Sequence, residues 1–483
     1  MNNNQPKRIH RENEPRRTSL GWSLLVFLGA CQSYAPIPLD PGAHQAAWQA
    51  RTLNDGSLEA FLEQRQAPLP GPKSPFNLGD GLNLHEARLV AMAFNPDLRL
   101  ARLSAGVAAA KAQYAGRWSD PVFSISALRA TDNIPDPWVV TPDLSFTLPI
   151  SGRTGAESGH ATAQSAAAVA AIQRAEWQVW GQVWSTWQDW SAALQRAAET
   201  EKLIASLGDL IERVVTLSEA GEVAPTEANR LNLEQNQQVA ALIGLRGIVE
   251  EKEHTLRALM GMTPAAELHL VPYLSHLQEG RTEADLIPLT QRSDFTVERA
   301  GNNLELAELR QQYAVAEKAV ALEIAKQISD LTLGPAYESD AGQPRIGFVG
   351  GISLPLFHTN GGAIATARAE RVLARARYET TLEVIAGRWS KTEDKVEALK
   401  RQRGHMEYEL LPLIDQQLKD ALKLMQLGEA SSQILQEALV KAHEIKLEWI
   451  NATLAVSAAE GEFVQLRGPQ SKITPTPGEG ENK

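Results

Sequence analysis

The sequence predicts a mainly helical protein with a transmembrane β part, built as two similar halves that each carry a long α-helical hairpin. Three observations lead there. Asp143 to Ala163 reads DLSFTLPISGRTGAESGHATA, and Arg345 to Ala367 reads RIGFVGGISLPLFHTNGGAIATA. Both alternate apolar with small or polar residues, stop at Leu-Pro, turn through glycines and enter a small-residue helix. A long helical stretch follows each junction, free of proline in the first and interrupted only at Pro412 in the second, and each folds back at a Gly-Glu pair. The two designs also keep register: Pro149 to Pro355 is 206 residues, and Gly221 to Gly428 is 207. A shared period over such a length marks an internal duplication.

The N-terminus comes first. Arg8, Arg11, Arg16 and Arg17 precede an apolar run, Leu20 to Ala30, too short to span a bilayer comfortably. The run ends in Leu28-Gly29-Ala30-Cys31, the pattern of a bacterial lipoprotein signal, so residues 1–30 are read as a signal peptide and Cys31 as the lipidated first residue. Gln32 follows, where an aspartate would suggest inner-membrane retention. Cys31 is the only cysteine, so no internal disulfide exists. Removing residues 1–30, with their five Lys/Arg and two Asp/Glu, takes the formal charge from −11 to −14. That balance argues against nucleic acid as a partner, which needs a basic footprint, and fits an acidic conduit as well as a solvated acidic surface.

Residues 31–80, rich in Pro, Gly and polar residues, read as an extended arm with a short helical candidate at Ser57–Gln64. The first repeat spans 81–263. Asn83 with Glu86 has capping-box spacing, and Asn95-Pro96-Asp97 ends that helix and starts another, to about Trp118. Two strands are expected at about 121–149, with Phe123, Ile125 and Ala127 alternating against Ser124 and Ser126. This is too sparse for a globular core and suits a barrel with lipid outside and water inside. In the long helix that follows, Trp177, Trp180, Trp184, Trp187 and Trp190 recur every three or four residues, a packing stripe in preference to a ligand cage. Gly221 ends it and Pro225 opens the returning helix.

Residues 264–290 break the helical period and are read as an equatorial linker in a small mixed domain. The second repeat, 291–467, is expected to start a helix at Asp294, place strands at about 328–356, and run one helix from Gly362 to Gln426 with a kink at Pro412. Leu427-Gly428-Glu429 is its tip, and 468–483 has the composition of disorder. Four strands cannot close a barrel that admits solute, and an open edge in lipid leaves backbone groups unpaired, so three copies and a 12-stranded barrel are expected. Leu144, Phe146, Leu148, Ile346, Phe348, Ile352 and Leu354 are the candidate lipid-facing residues, with Ser145, Thr147 and Ser353 toward the lumen.

No catalytic constellation is present: the sequence holds no HExxH, GxSxG or Walker loop. His254, His269 and His276 match no compact metal motif, so no cofactor and no metal site is expected. The reading is not an enzyme.

The stretch 82–115, both strand–Leu-Pro–Gly–helix junctions and both Gly-centred tips resemble the TolC-like outer-membrane factors, and the likeness runs from about Leu82 to Leu466. The resemblance implies a homotrimer: the β part sits in the outer membrane of a Gram-negative cell, and the helices form a periplasmic tunnel. It further implies a periplasmic adaptor (membrane fusion) protein and an inner-membrane RND-type transporter as partners, the chain conducting passively what the pump expels. The wording LPLFHTNGGAIATARAE most resembles the heavy-metal cation branch. Ducts for multidrug efflux or type I secretion remain alternatives, as does a pore-free periplasmic coiled-coil protein. Glu219, Gly221, Glu222, Glu227, Gly428 and Glu429 are the candidate tip or gate residues. Converging carboxylates would favour cations, yet the same glutamates fit helix starts, where the dipole favours acidic side chains; both readings stand on sequence.

Overall fold

A computed structural model describes residues 34–53, 56, 58, 60–61, 78–131, 137–274, 295–340, 343–356 and 359–469. Two units divide the chain, 1–51 and 52–483. In the first, helix α1 (Pro41–Gln49) starts where the Asp40 carboxylate accepts from the Ala43 N–H, and none of its residues is buried. Of the helical candidate at 57–64, Leu58, Ala60 and Phe61 are helical, and they belong to the second unit.

The second unit begins with α2 (Leu84–Phe94), closed by a full capping box. Asn83 Oδ1 accepts from the Glu86 N–H and Glu86 Oε2 from the Asn83 N–H, each at 3.0 Å. α3 (Pro96–Tyr114) leads into strands β1 (Val122–Arg129) and β2 (Trp138–Leu148). α4 (Arg153–Glu219) has 67 residues, about 100 Å at 1.5 Å per residue, and α5 (Pro225–Leu259) returns along it. The described part of the linker passes beside the start of the repeat, where Leu82 and Leu270 form a parallel bridge. The second repeat runs through α6 (Leu304–Ala325), β3 (Leu331–Asp340), β4 (Gln343–Ile352), α7 (Gly361–His405), α8 (Leu411–Gln426) and α9 (Ser432–Arg467). No helix among the described residues is long and apolar enough to cross a membrane. The molecule is mainly helical, with one small antiparallel sheet in the order β1-β2-β3-β4.

Two expectations change. The helix expected from Asp294 begins at Leu304, after a 3-10 turn at Arg299–Asn302; Asp294 itself lies outside the described residues. Its cap is Asn303, whose Oδ1 accepts from the Glu305 and Leu306 N–H groups while Nδ2 donates to the Leu466 carbonyl. Asn95 does the same in the first repeat, toward Asp97, Leu98 and Leu259. The second change is at Pro412. In place of a simple kink, a π-helical turn at Met406–Leu410 separates α7 from α8. Proline lacks the N–H that the carbonyl four residues back requires, and a widened turn just before it absorbs the mismatch.

The main core surrounds the tryptophan stripe, which is packing. All five are buried, Trp187 completely, among Leu84, Val90, Leu98, Leu256 and Met260. Trp177 and Trp180 stack at 4.7 Å, and the Arg88 guanidinium lies 3.5 Å above the Trp180 ring. A second cluster joins the two hairpins near their tips: Leu210, Val214, Ala228 and Leu231 meet Ala421, Leu435 and Ala438. Beside the sheet, α3 packs on α4, α4 on α6 and α6 on α7, so α3 and α7 are the edges of this helical layer.

Candidate functional site: a two-faced sheet and paired helical tips

Residues opposite each other on antiparallel strands point to the same side of the sheet. Phe123 lies opposite Leu144, Ile125 opposite Pro142 and Ala127 opposite Val140. The same side continues through Phe146 opposite Leu333 and Leu148 opposite Leu331. It ends with Leu331, Pro335 and Tyr337 opposite Ile352, Phe348 and Ile346. One face is therefore apolar on all four strands, apart from Arg129 and Ser339 at the end where the strands turn back. The other carries Ser124, Ser126, Thr141, Asp143, Ser145, Thr147, Thr332, Glu338 and Arg345. On that side Ser124 donates to the Asp143 carboxylate, and Arg345 pairs with Glu338 at 3.0 Å and Asp340 at 3.3 Å.

Leu144, Phe146, Leu148, Ile346, Phe348 and Ile352 all fall on the apolar face, whereas Leu354 and Ser353 lie just past the end of β4. No described residue shelters that face at its edges. Every residue of β1 and β4 is exposed, Ile346 at 87% and Phe348 at 84%. Among the described residues, β1 and β4 also leave their outer backbone edges without a partner strand. Where the repeats meet, β2 and β3 approach so closely that a Cβ on Gly334 would stand 1.7 Å from the Leu144 carbonyl oxygen, so only glycine fits.

All four connections to helices leave from one end of the sheet, and the two hairpins occupy the other. The junctions into α4 and α7 use the same device: Gly152 at φ 73° and Asn360 at φ 56° hold left-handed conformations one residue before each helix. Asn360 is kept there by donating from Nδ2 to the Glu323 carbonyl at 2.8 Å. Arg153, first in α4, reaches Asp330 of the other repeat at 2.7 Å.

At the tips, Gly221 (φ 77°) and Gly428 (φ 73°) end α4 and α8 in matching turns. The N–H after each glycine reaches the carbonyl five residues back, Glu222 to Leu217 and Glu429 to Leu424, both at 2.9 Å. Glu219, Glu222 and Glu429 are exposed, as are both glycines. Glu227 is different: it is partly buried and accepts from the Ser432 hydroxyl at the start of α9, linking the two hairpins. Sequence reading missed this pairing because the partners lie 205 residues apart. The only signal was that both follow their tip glycine by a few residues. Cys31 lies outside the described residues, as does His276; His254 and His269 are exposed, and no group of three metal-ligating side chains gathers among the described residues.

No protein-family model matches the chain, and no curated protein matches it in sequence. Solved structures do. The outer-membrane channel OprN superposes with a TM-score of 0.68 at 14% identity, over 83% of this chain and 94% of that one. CusC, whose structures concern conformational changes accompanying folding and transmembrane channel formation, gives 0.67 at 15% over 84% and 98%. The CmeC outer membrane channel of Campylobacter jejuni gives 0.67 at 15% over 83% and 94%. The chain has the fold of the TolC-like outer-membrane factors. Within that fold lie this chain's duplicated junctions, two-faced sheet and paired tips.

Proposed function

We propose that the chain is one third of a homotrimeric outer-membrane exit channel that passively conducts what an inner-membrane pump expels. The observation that carries this reading is the sheet: one apolar face, one polar face and two open edges. In water the apolar face would be an aggregation site, and in lipid the open edges would leave backbone groups without partners. Three copies remove both problems, with lipid on the apolar side and solute on the other. The helical layer supports the same closure. α3 runs directly into edge strand β1, and edge strand β4 runs into α7, so a copy that adds its β4 to β1 brings its α7 against α3. There α3 exposes Leu100, Leu103 and Val107, a coiled-coil spacing with no packing partner among the described residues.

Under this reading a periplasmic adaptor meets the tips, an RND-type transporter supplies the energy, and Cys31 carries an acyl anchor in the outer membrane of a Gram-negative cell. Metal cations are the cargo suggested by the wording of the second junction. A pore-free coiled-coil protein has no use for a two-faced sheet. Single-channel recording in planar bilayers tests the proposal: discrete conductance steps from purified trimer are expected, and a membrane-bound protein that never conducts would overturn it.

A further inference from the structure

The seam between the two repeats is built differently from the other pairings of the sheet. β1 pairs with β2 without a break from Val122–Ser145 to Arg129–Trp138, and β3 with β4 from Leu331–Ile352 to Asp340–Gln343. Between β2 and β3 the rungs 141–338, 142–337, 144–335 and 145–334 are missing. Val140–Ser339, Asp143–Ala336 and the three rungs from Phe146–Leu333 to Leu148–Leu331 remain. Two prolines account for the gaps. The Leu144 carbonyl points across the seam, since it occupies the place of a Cβ on Gly334, so the backbone groups of Pro142, two residues away, point the same way. The register sets Pro142 across from Tyr337 and Pro335 across from Leu144. Neither proline has an N–H to give, so the Tyr337 and Leu144 carbonyls lose their strand donors. On its other side each proline lies within complete pairing, opposite Ile125 and Phe348 respectively. Proline is ordinarily confined to edge strands, yet here it stands on the two central ones. The outer edges, β1 from Phe123 to Arg129 and β4 from Ile346 to Ile352, contain none.

Side chains follow the same division. Ser124 donates to Asp143 and Ser145 to the Val122 carbonyl, both within the first pair of strands. Thr332 donates to the Gly351 carbonyl at 2.9 Å, and Arg345 pairs with Glu338 and Asp340, all within the second pair. Among the described residues no strand side chain forms a hydrogen bond or ion pair from β2 to β3. The repeats are tied at the helical end instead, where Arg153 meets Asp330 at 2.7 Å beside the three intact rungs. The seam is thus stapled at that end and broken toward the end where the strands turn back.

We propose that the β2–β3 seam is a line along which the two strand pairs of each copy spread at the end where the strands turn back, widening the exit for a solute larger than the resting bore. This rests on the channel reading, which places water on the polar face. From there water reaches the Leu144 and Tyr337 carbonyls and takes the place of the missing donors. Gly334 belongs to that face, and its lack of a side chain lets the Leu144 carbonyl lean toward it. In a trimer the pairings that close the barrel between copies keep their donors, and the three weak lines lie inside the copies. Local opening follows the segments with the fewest interactions to lose, and in this sheet that is the seam.

The test uses trimer of the full chain in a Cys31→Ser background, inserted in planar bilayers and probed with polyethylene glycols of graded size, which lower the conductance when they enter the pore. Thr141→Cys with Glu338→Cys sets two thiols across from each other over the seam. Ser126→Cys with Thr141→Cys sets them across from each other within the first pair of strands. Oxidising the seam pair should lower the mass of the largest polymer that enters by about twofold, and reductant should restore it. Oxidising the other pair should leave polymer entry unchanged. Pro142→Val with Pro335→Val supplies both missing donors without a thiol and should act in the same direction as the seam disulfide. If the channels conduct and neither the oxidised seam pair nor the valine pair alters polymer entry, the seam is not a line of motion and the channel reading stands. If the parent trimer never conducts, the channel reading itself fails.

Discussion

Asn95 and Asn303 show how much one side chain can hold. Each caps a helix with its carbonyl oxygen and, with its amide, satisfies the last turn of the helix that returns from the tip of the same repeat. Asn303→Ala therefore removes a cap and leaves the buried Leu466 carbonyl without this donor, a combined loss of about 2–4 kcal/mol. Asn303→Asp keeps the cap but turns a donor into a carboxylate facing that carbonyl. Both should lower the urea midpoint followed by helical circular dichroism, and an unchanged midpoint for the alanine would refute the role. A second residue-scale test concerns His443, buried on α9. Burial lowers its pKa, outweighing Glu199 and Glu444, which raise it, with Lys446 adding to the lowering. The folded state thus binds fewer protons than the unfolded state. Stability contributed by the neutral ring is present above the unfolded pKa, near 6.5, and is lost as pH falls toward the folded value. The midpoint should drop between pH 7.5 and 5.5, and His443→Gln should flatten that drop. Asn95 was legible from its proline, whereas Asn303 precedes leucine and was overlooked. The Asn-x-x-Leu spacing it shares with Asn95 would have revealed it.

At the scale of elements, the sheet was readable because alternation records which side each residue faces, and that pattern survives even where pairing partners are unknown. What alternation does not record is where a strand ends. Ser353, expected in the lumen, stands beyond β4, so the comparison that tests the faces uses adjacent residues within the strand. Phe348 is on the apolar face and Val349, opposite Gly334, is on the polar one. Phe348→Arg should cost about 2–4 kcal/mol at mid-bilayer and reduce heat-resistant trimer on gels, while Val349→Arg should assemble and alter conductance instead. The opposite ranking would mean the register is displaced by one residue. The π-turn before Pro412 was not legible in detail. Proline announces a lost hydrogen bond, but the way the backbone absorbs it depends on neighbours across the interface, Met406 being buried there.

For the whole molecule the proposed channel turns on the charge carried by the helical tips. In a trimer the tips at Gly221 and Gly428 are six, each with an exposed glutamate next to its glycine. The pairing of Glu227 with Ser432 engages that carboxylate at the seam between hairpins. Glu222 and Glu429, next to the tip glycines, can focus a negative potential together with Glu219, since both are exposed and, among the described residues, engaged through their backbone in the tip turn. Neither carboxylate supports the turn itself, which the glycines close. Glu222→Gln combined with Glu429→Gln should therefore leave trimer yield unchanged and lower cation-over-anion selectivity in bilayer recordings, most clearly at low salt, where screening is weakest. Glu227→Gln serves as the contrast: it weakens the contact with Ser432, so it should loosen the tips and raise protease cleavage near residue 221 with little effect on selectivity. Unchanged selectivity in the double variant would move the filter away from the tips, toward Asp143 and the rest of the polar face of the sheet.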